Sequence, residues 1–106
     1  MLESVPTVEL NGRIRMPLLG LGTWQLTGET CVNAIKMGLE LGYRHIDTAR
    51  IYGNEEFVGK GIEGFERKDL FITSKVWRDS LHFDGVLRSC HKSLELLGTD
   101  YLDLYL

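Results

Sequence analysis

Three side chains in this chain have the types needed to pass a proton along, and each stands at or near the end of a stretch that reads as a strand. Asp47 closes Tyr43-Arg44-His45-Ile46, Lys75 follows Phe71-Ile72-Thr73-Ser74, and Tyr52 lies in the polar stretch just beyond Asp47. A free tyrosine, with a pKa of ~10, is a weak acid at neutral pH. An ammonium beside the phenol favours phenolate and eases proton donation, while a carboxylate keeps that ammonium charged against the cost of burial. An Asp47–Lys75–Tyr52 chain is thus a candidate general acid for protonating an alkoxide as hydride arrives at a carbonyl carbon. Trp24 and Trp77 follow similar strand ends and are candidates for pocket walls. Each residue taken singly also has an ordinary reading: Lys75 as an exposed strand end, Tyr52 as a loop aromatic, Asp47 as a helix-side cap and the tryptophans as loop anchors.

Residues so far apart in sequence can meet only if the chain brings several strand ends together. Val8 to Arg15 places a strand on either side of Asn11-Gly12, a pair that tolerates the positive φ angles of a type I′ hairpin turn. Leu18 to Leu21 reads as a short buried strand. From Thr27 the period changes: Cys31, Ala34, Ile35, Gly38 and Leu39 form one face of a helix, with Thr27 as N-cap and Gly42 as the left-handed residue after its end. A strand at Tyr43 to Asp47 precedes a second helix, capped by Asn54, with Val58, Gly61, Ile62 and Phe65 inward. Leu70 to Ser74 is the next strand. A third helix carries Val86, Cys90, Ser93, Leu94 and Leu97 on one face, stops at Gly98, and is followed by a strand at Tyr101 to Leu106. Strands and helices alternating at ~25–30 residues per unit predict βαβ units and a parallel sheet. In a barrel of parallel strands the C-terminal strand ends carry the active site. No linker, low-complexity tract or second domain interrupts the pattern.

Composition narrows the functional classes. The 106 residues are 43% hydrophobic and 25% charged, ordinary for one globular domain, and the net charge of -3 offers no basic surface for nucleic acid or an anionic membrane. The opening residues Met1 to Pro6 lack the basic and apolar regions of a secretory leader, and no apolar stretch approaches the ~18 residues that span a bilayer. A cytoplasmic protein is the expectation. Cys31 and Cys90 have no metal-ligand spacing and fall on helix faces as reduced, packed thiols. His45, His82 and His91 show no metal-binding pairing, so no metal is expected. Gly20-Leu21-Gly22-Thr23 invites a dinucleotide-fingerprint reading that fails, because the third glycine would fall at Gln25 where no helix opens. Gly22 and Thr23 remain able to approach a cofactor by another route.

Four strings are more specific than spacing. Met16-Pro17-Leu18-Leu19-Gly20-Leu21-Gly22-Thr23-Trp24 resembles the opening strand of the aldo-keto reductases. Gly42-Tyr43-Arg44-His45-Ile46-Asp47-Thr48-Ala49, then Tyr52-Gly53-Asn54-Glu55, resembles that family's signature; Phe71 to Trp77 and Asp100 to Leu106 are similar to two further segments, in order. The likeness runs from Val8 onward. It implies an α/β fold, the N-terminal portion of a (β/α)8 TIM barrel of about four strands and three helices behind a β-hairpin, with residues 1–106 forming part of an NADP-dependent oxidoreductase domain. It implies reduction of aldehydes or ketones to alcohols by NADPH (less often NADH), with Tyr52 as proton donor tuned by Lys75 and Asp47. It also implies Asp47, Gly22 and Thr23 beside the cofactor, and Trp24, Tyr52 and Trp77 around a small carbonyl substrate.

One departure stands against that pattern. The resemblance implies a fourth catalytic residue, a histidine in an Ile-His-Trp-Pro-like string, and the sequence stops at Leu106, two residues short of its place. His82 and His91 belong to the third helical unit. A truncated or partial sequence, inactive by itself, is the expectation. The alternatives are a half barrel that self-associates through its open edges, and a non-catalytic nicotinamide-binding or regulatory subunit of the same fold.

Overall fold

Each change of hydrophobic period becomes an element in the computed structural model, which describes residues 5–106. Residues 1–4, part of the segment without the features of a secretory leader, lie outside the described residues. Strands β1 (Thr7–Leu10) and β2 (Ile14–Pro17) pair antiparallel in a sheet of their own. Asn11 and Gly12 have φ of 52° and 72°, and the Arg13 amide donates to the Leu10 carbonyl at 3.1 Å, as a type I′ turn requires.

Beyond the hairpin come β3 (Gly20–Gly22), α1 (Gly28–Glu40), β4 (His45–Asp47), α2 (Glu55–Ile62), β5 (Phe71–Ser74), α3 (Phe83–Leu97) and β6 (Leu104–Tyr105). The four later strands form one parallel sheet in the order β3-β4-β5-β6. Register sets Leu21, Ile46 and Ile72 side by side, and all three join the core with Cys31, Ile35 and Leu39 of α1, Val58 and Ile62 of α2, and Leu97 of α3. Since strand side chains alternate, the opposite face carries His45, Asp47, Phe71 and Thr73. There the His45 ring lies edge-on to Phe71, with Nε2 2.9 Å from the Thr73 hydroxyl and Nδ1 3.3 Å from the Pro17 carbonyl oxygen, tying the hairpin to the sheet.

Two glycines let the helices close. A Cβ on Gly59 would stand 2.7 Å from the Leu96 carbonyl oxygen of α3, and one on Gly61 would stand 2.6 Å from Ile35 Cβ of α1. The lower edge is tied by Arg67, whose guanidinium donates to the Leu70 and Tyr101 carbonyls, the Thr99 hydroxyl and the Asp103 carboxylate, while Asp103 also accepts from the Ile72 amide.

Several local expectations change. Leu18 and Leu19 do not begin a buried strand; they bend ahead of β3 and are 60% and 69% exposed, because the Leu18 amide is drawn to the Pro6 carbonyl of the hairpin. Thr27 and Asn54 occupy N-cap positions, yet neither side chain caps its helix. Phe65 lies beyond the end of α2, which stops at Ile62. Cys31 is wholly buried and Cys90 half-buried; both are free, and burial pushes both thiols up, with Glu55 adding to the rise at Cys90. Gln25 has φ 68° in the turn after β3 and α1 opens only at Gly28, so no helix N-terminus meets the Gly20–Gly22 stretch. No helix among the described residues is long and apolar enough to cross a membrane.

Candidate active site

Parallel pairing puts the C-terminal ends of β3, β4 and β5 at one rim, and the polar residues there converge. Asp47 is the last residue of β4, and Lys75 follows β5 on the same sheet face. Tyr52 ends a single 3-10 turn, Arg50–Tyr52, closed by Gly53 at φ 70°. The turn is held against the strand end, since the Arg50 amide donates to the Lys75 carbonyl at 3.2 Å.

Lys75 is the centre of the group. Its Nζ donates to Asp47 Oδ1 in an ion pair, to the Thr48 carbonyl at 3.1 Å, and to the Tyr52 hydroxyl at 3.4 Å. The ammonium also lies 5.2 Å from the centre of the Tyr52 ring. Burial works against its charge, but the hydrogen bond to Asp47 and that carboxylate's charge outweigh burial, with help from Tyr52, so its pKa is raised above the ordinary lysine value. Lys75 is therefore charged at any physiological pH, and its positive charge sits at the phenol oxygen. Such a trio can donate a proton and stabilise the negative charge left behind.

The other expected site residues are placed less uniformly. Gly22 is exposed at the end of β3, and a Cβ there would meet nothing within 4 Å. Thr23 is wholly buried. Its amide and hydroxyl both reach the Asp47 carbonyl, its hydroxyl donates to Thr48 Oγ1 at 2.8 Å, and its carbonyl accepts from Asn54 and Leu26. Its side chain is thus spent inside the protein, holding the backbone of Asp47. Trp24 is 67% exposed; Trp77 is 36% exposed, with the Arg78 guanidinium 4.9 Å from its ring centre.

Two buried polar networks support the rim and were not assigned from the sequence. In one, Asn54 Nδ2 donates to the Thr23 and Leu26 carbonyls at 2.7 and 2.8 Å, and Asn54 Oδ1 accepts from Thr48 Oγ1 at 3.4 Å. In the other, the wholly buried carboxylate of Glu55 accepts from Ser74 Oγ at 2.5 Å and Ser93 Oγ at 2.8 Å. Glu55 had a legible signal: it stands three and seven positions before Val58 and Ile62, on the apolar face of its helix. Among the described residues no three His, Cys, Asp or Glu side chains gather in a way that could hold a metal ion.

A profile of the Aldo/keto reductase family matches residues 18–106. The chain is 48% identical over 103 residues to a glyoxal reductase of Bacillus subtilis (strain 168), covering 94% of this chain and 37% of that protein. It is 46% identical over 104 residues to an NADPH-dependent aldose reductase of Saccharomyces cerevisiae (strain ATCC 204508 / S288c), covering 92% of this chain and 32% of the relative. Among solved structures, an aldo/keto reductase from Brucella melitensis superposes with a TM-score of 0.91 at 50% identity, over 96% of this chain and 40% of that one. The chain thus spans about a third of the length of the curated relatives it matches, and its parallel sheet and three helices correspond to part of a (β/α)8 barrel.

Proposed function

The chain belongs to the Aldo/keto reductase family, and on that premise we propose that the protein carrying it reduces aldehydes or ketones to alcohols with NADPH, Tyr52 donating the proton. One observation carries this reading: a single ammonium, Lys75 Nζ, binds both Asp47 and the Tyr52 hydroxyl. Lys75 stabilises negative charge on the phenol oxygen as its proton leaves, and Asp47 keeps Lys75 charged in a site where burial opposes that charge. The proton moves from Tyr52 Oη to the oxygen of the reduced carbonyl, and solvent then restores the phenol.

The residues present fit a nicotinamide cofactor. Asp47 Oδ1 is engaged by Lys75 while the side chain stays 44% exposed, so the carboxylate has room to accept from a ribose hydroxyl. Gly22 leaves open space at the adjoining strand end, where a flat ring can lie against backbone. When bound, the reduced nicotinamide supplies the hydride equivalent that reduces the carbonyl carbon. Trp24 and Trp77, exposed beyond the ends of β3 and β5, are proposed to face the substrate. The relatives named a glyoxal reductase and an aldose reductase favour a small aldehyde or sugar carbonyl for this chain as well.

By themselves the 106 residues are expected to turn over little or no carbonyl, because the exposed Asp47 and Trp24 leave the site wet and water weakens every electrostatic contact in it. The test is oxidation of NADPH by an aldehyde. In the whole protein Tyr52→Phe is expected to lower kcat by ~100-fold or more, the usual contribution of a positioned general acid. A variant that kept more than about half the wild-type rate would remove Tyr52 as the donor.

A further inference from the structure

We propose that Glu55 is a positioning residue for the proton donor: its buried carboxylate ties the turn that carries Tyr52 to the strand end that carries Lys75. The inference rests on the reading of Tyr52 and Lys75 given above and adds a third element to it. The Glu55 side chain is 0% exposed. Its Oε2 accepts from Ser74, which immediately precedes Lys75 at the end of β5; its Oε1 accepts from Ser93 of α3 and lies 3.7 Å from Arg50 Nη1. Arg50 opens the turn that ends at Tyr52, and its amide is already bonded to the Lys75 carbonyl. One carboxylate thus touches the neighbour of Lys75, the turn of Tyr52 and the helix packed outside both.

A carboxylate is a costly choice for such a place. Charge buried there is tolerated only when paired and hydrogen-bonded, and an apolar side chain of similar volume often gives equal or greater stability. What leucine could not do is accept hydrogen bonds from two elements at once in fixed directions. Direction matters because the Tyr52–Lys75 separation is 3.4 Å, at the long edge of hydrogen bonding, so a further drift of ~0.5 Å would break it. The N-terminal dipole of α2 also favours a negative side chain, but it acts equally on Glu56, which shares the first turn and is exposed. Glu56 is therefore the control.

In the whole protein, Glu55→Gln should lower kcat for aldehyde reduction by ~10-fold or more while the KM for NADPH stays within about twofold, the pattern of a misplaced reacting group rather than lost binding. Ser93→Ala, which removes one of the two hydroxyl bonds from the far side, should lower kcat in the same sense, and it decides the matter if Glu55→Gln does not fold. Glu56→Gln should change neither constant. A second readout needs no turnover: with an isotope label on Tyr52 Cζ, the magnetic resonance signal should move in Glu55→Gln and Ser93→Ala but not in Glu56→Gln. A Glu55→Gln kcat within about twofold of wild type overturns the proposal, as does a fall in kcat equal to the loss of folded protein. If the wild type shows no carbonyl-dependent NADPH oxidation at all, the reading of the site fails instead. The Tyr52 signal alone then decides the role of Glu55.

Discussion

Replacing Asn54 by serine separates two jobs that this residue could do at the start of α2. Serine is about as good a helix N-cap as asparagine, so a capping role would survive the change with a loss of only a few tenths of a kcal/mol. A bridging role would not survive it. Asn54 Nδ2 donates to the Thr23 carbonyl at 2.7 Å and the Leu26 carbonyl at 2.8 Å, reaching back across the chain to the turn after β3. Serine has no second donor and a shorter arm. Two such bonds at ~1–1.5 kcal/mol each come to ~2–3 kcal/mol. The third contact, from Thr48 at 3.4 Å, is long and adds little. The Thr23 carbonyl keeps the Leu26 amide at 3.1 Å, which limits the penalty of an abandoned acceptor. Asn54 is only 1% exposed, so the vacated volume adds to the loss and brings the expected cost to ~2–4 kcal/mol. That is a large part of a typical net stability of ~5–15 kcal/mol. Urea unfolding of the whole protein, followed by tryptophan fluorescence, reads the change as a shift in midpoint at constant slope. Asn54→Ser and Asn54→Ala should fall together; a serine variant within ~0.5 kcal/mol of wild type would restore the capping role and refute the bridge.

Three further outcomes follow from the same geometry. Lys75 has its pKa raised on folding, so the stability it contributes is complete below the ordinary lysine value of 10.5 and is lost as pH rises through the higher folded-state value. The stability gap between wild type and Lys75→Met should therefore close only in that alkaline window, and a gap unchanged across it would rule the coupling out. Gly59→Ala should destabilise by up to ~2 kcal/mol, because the ~1–3 kcal/mol overpacking cost of a Cβ 2.7 Å from the Leu96 carbonyl oxygen outweighs the ~1 kcal/mol that alanine gains in a helix. A thermal midpoint that rises would show that α2 and α3 can part at no cost. Gly22→Ala, whose Cβ meets nothing in the protein, should leave stability unchanged and raise the KM for NADPH; an unaltered KM would remove Gly22 from the cofactor's path.

The alternation of strands and helices was legible in the sequence because it depends on local pattern. Cys31, Ile35 and Leu39 repeat at the helical period and all reach the core. Asn11-Gly12 announces its turn because positive φ is cheap there, and Gly98 ends α3 with φ 69° for the same reason. Asp47, Tyr52 and Lys75 were legible as a set because parallel strands bring their C-terminal ends to one rim, whatever the residues between them. What local pattern could not decide was which polar groups meet. Asn54 has the right type and place for a cap, yet its amide serves Thr23 and Leu26. Thr23, expected beside a cofactor, turns inward to Asp47 and Thr48. Leu18 and Leu19 are apolar and still exposed, since hydropathy ranks a side chain without saying what covers it. Glu55 and its partners Ser74 and Ser93 stand 19 and 38 positions apart in sequence. Their donors and acceptors could each have been satisfied by water or backbone, and only the packing of α2 against α3 beside the end of β5 brings them, with Arg50, to one another.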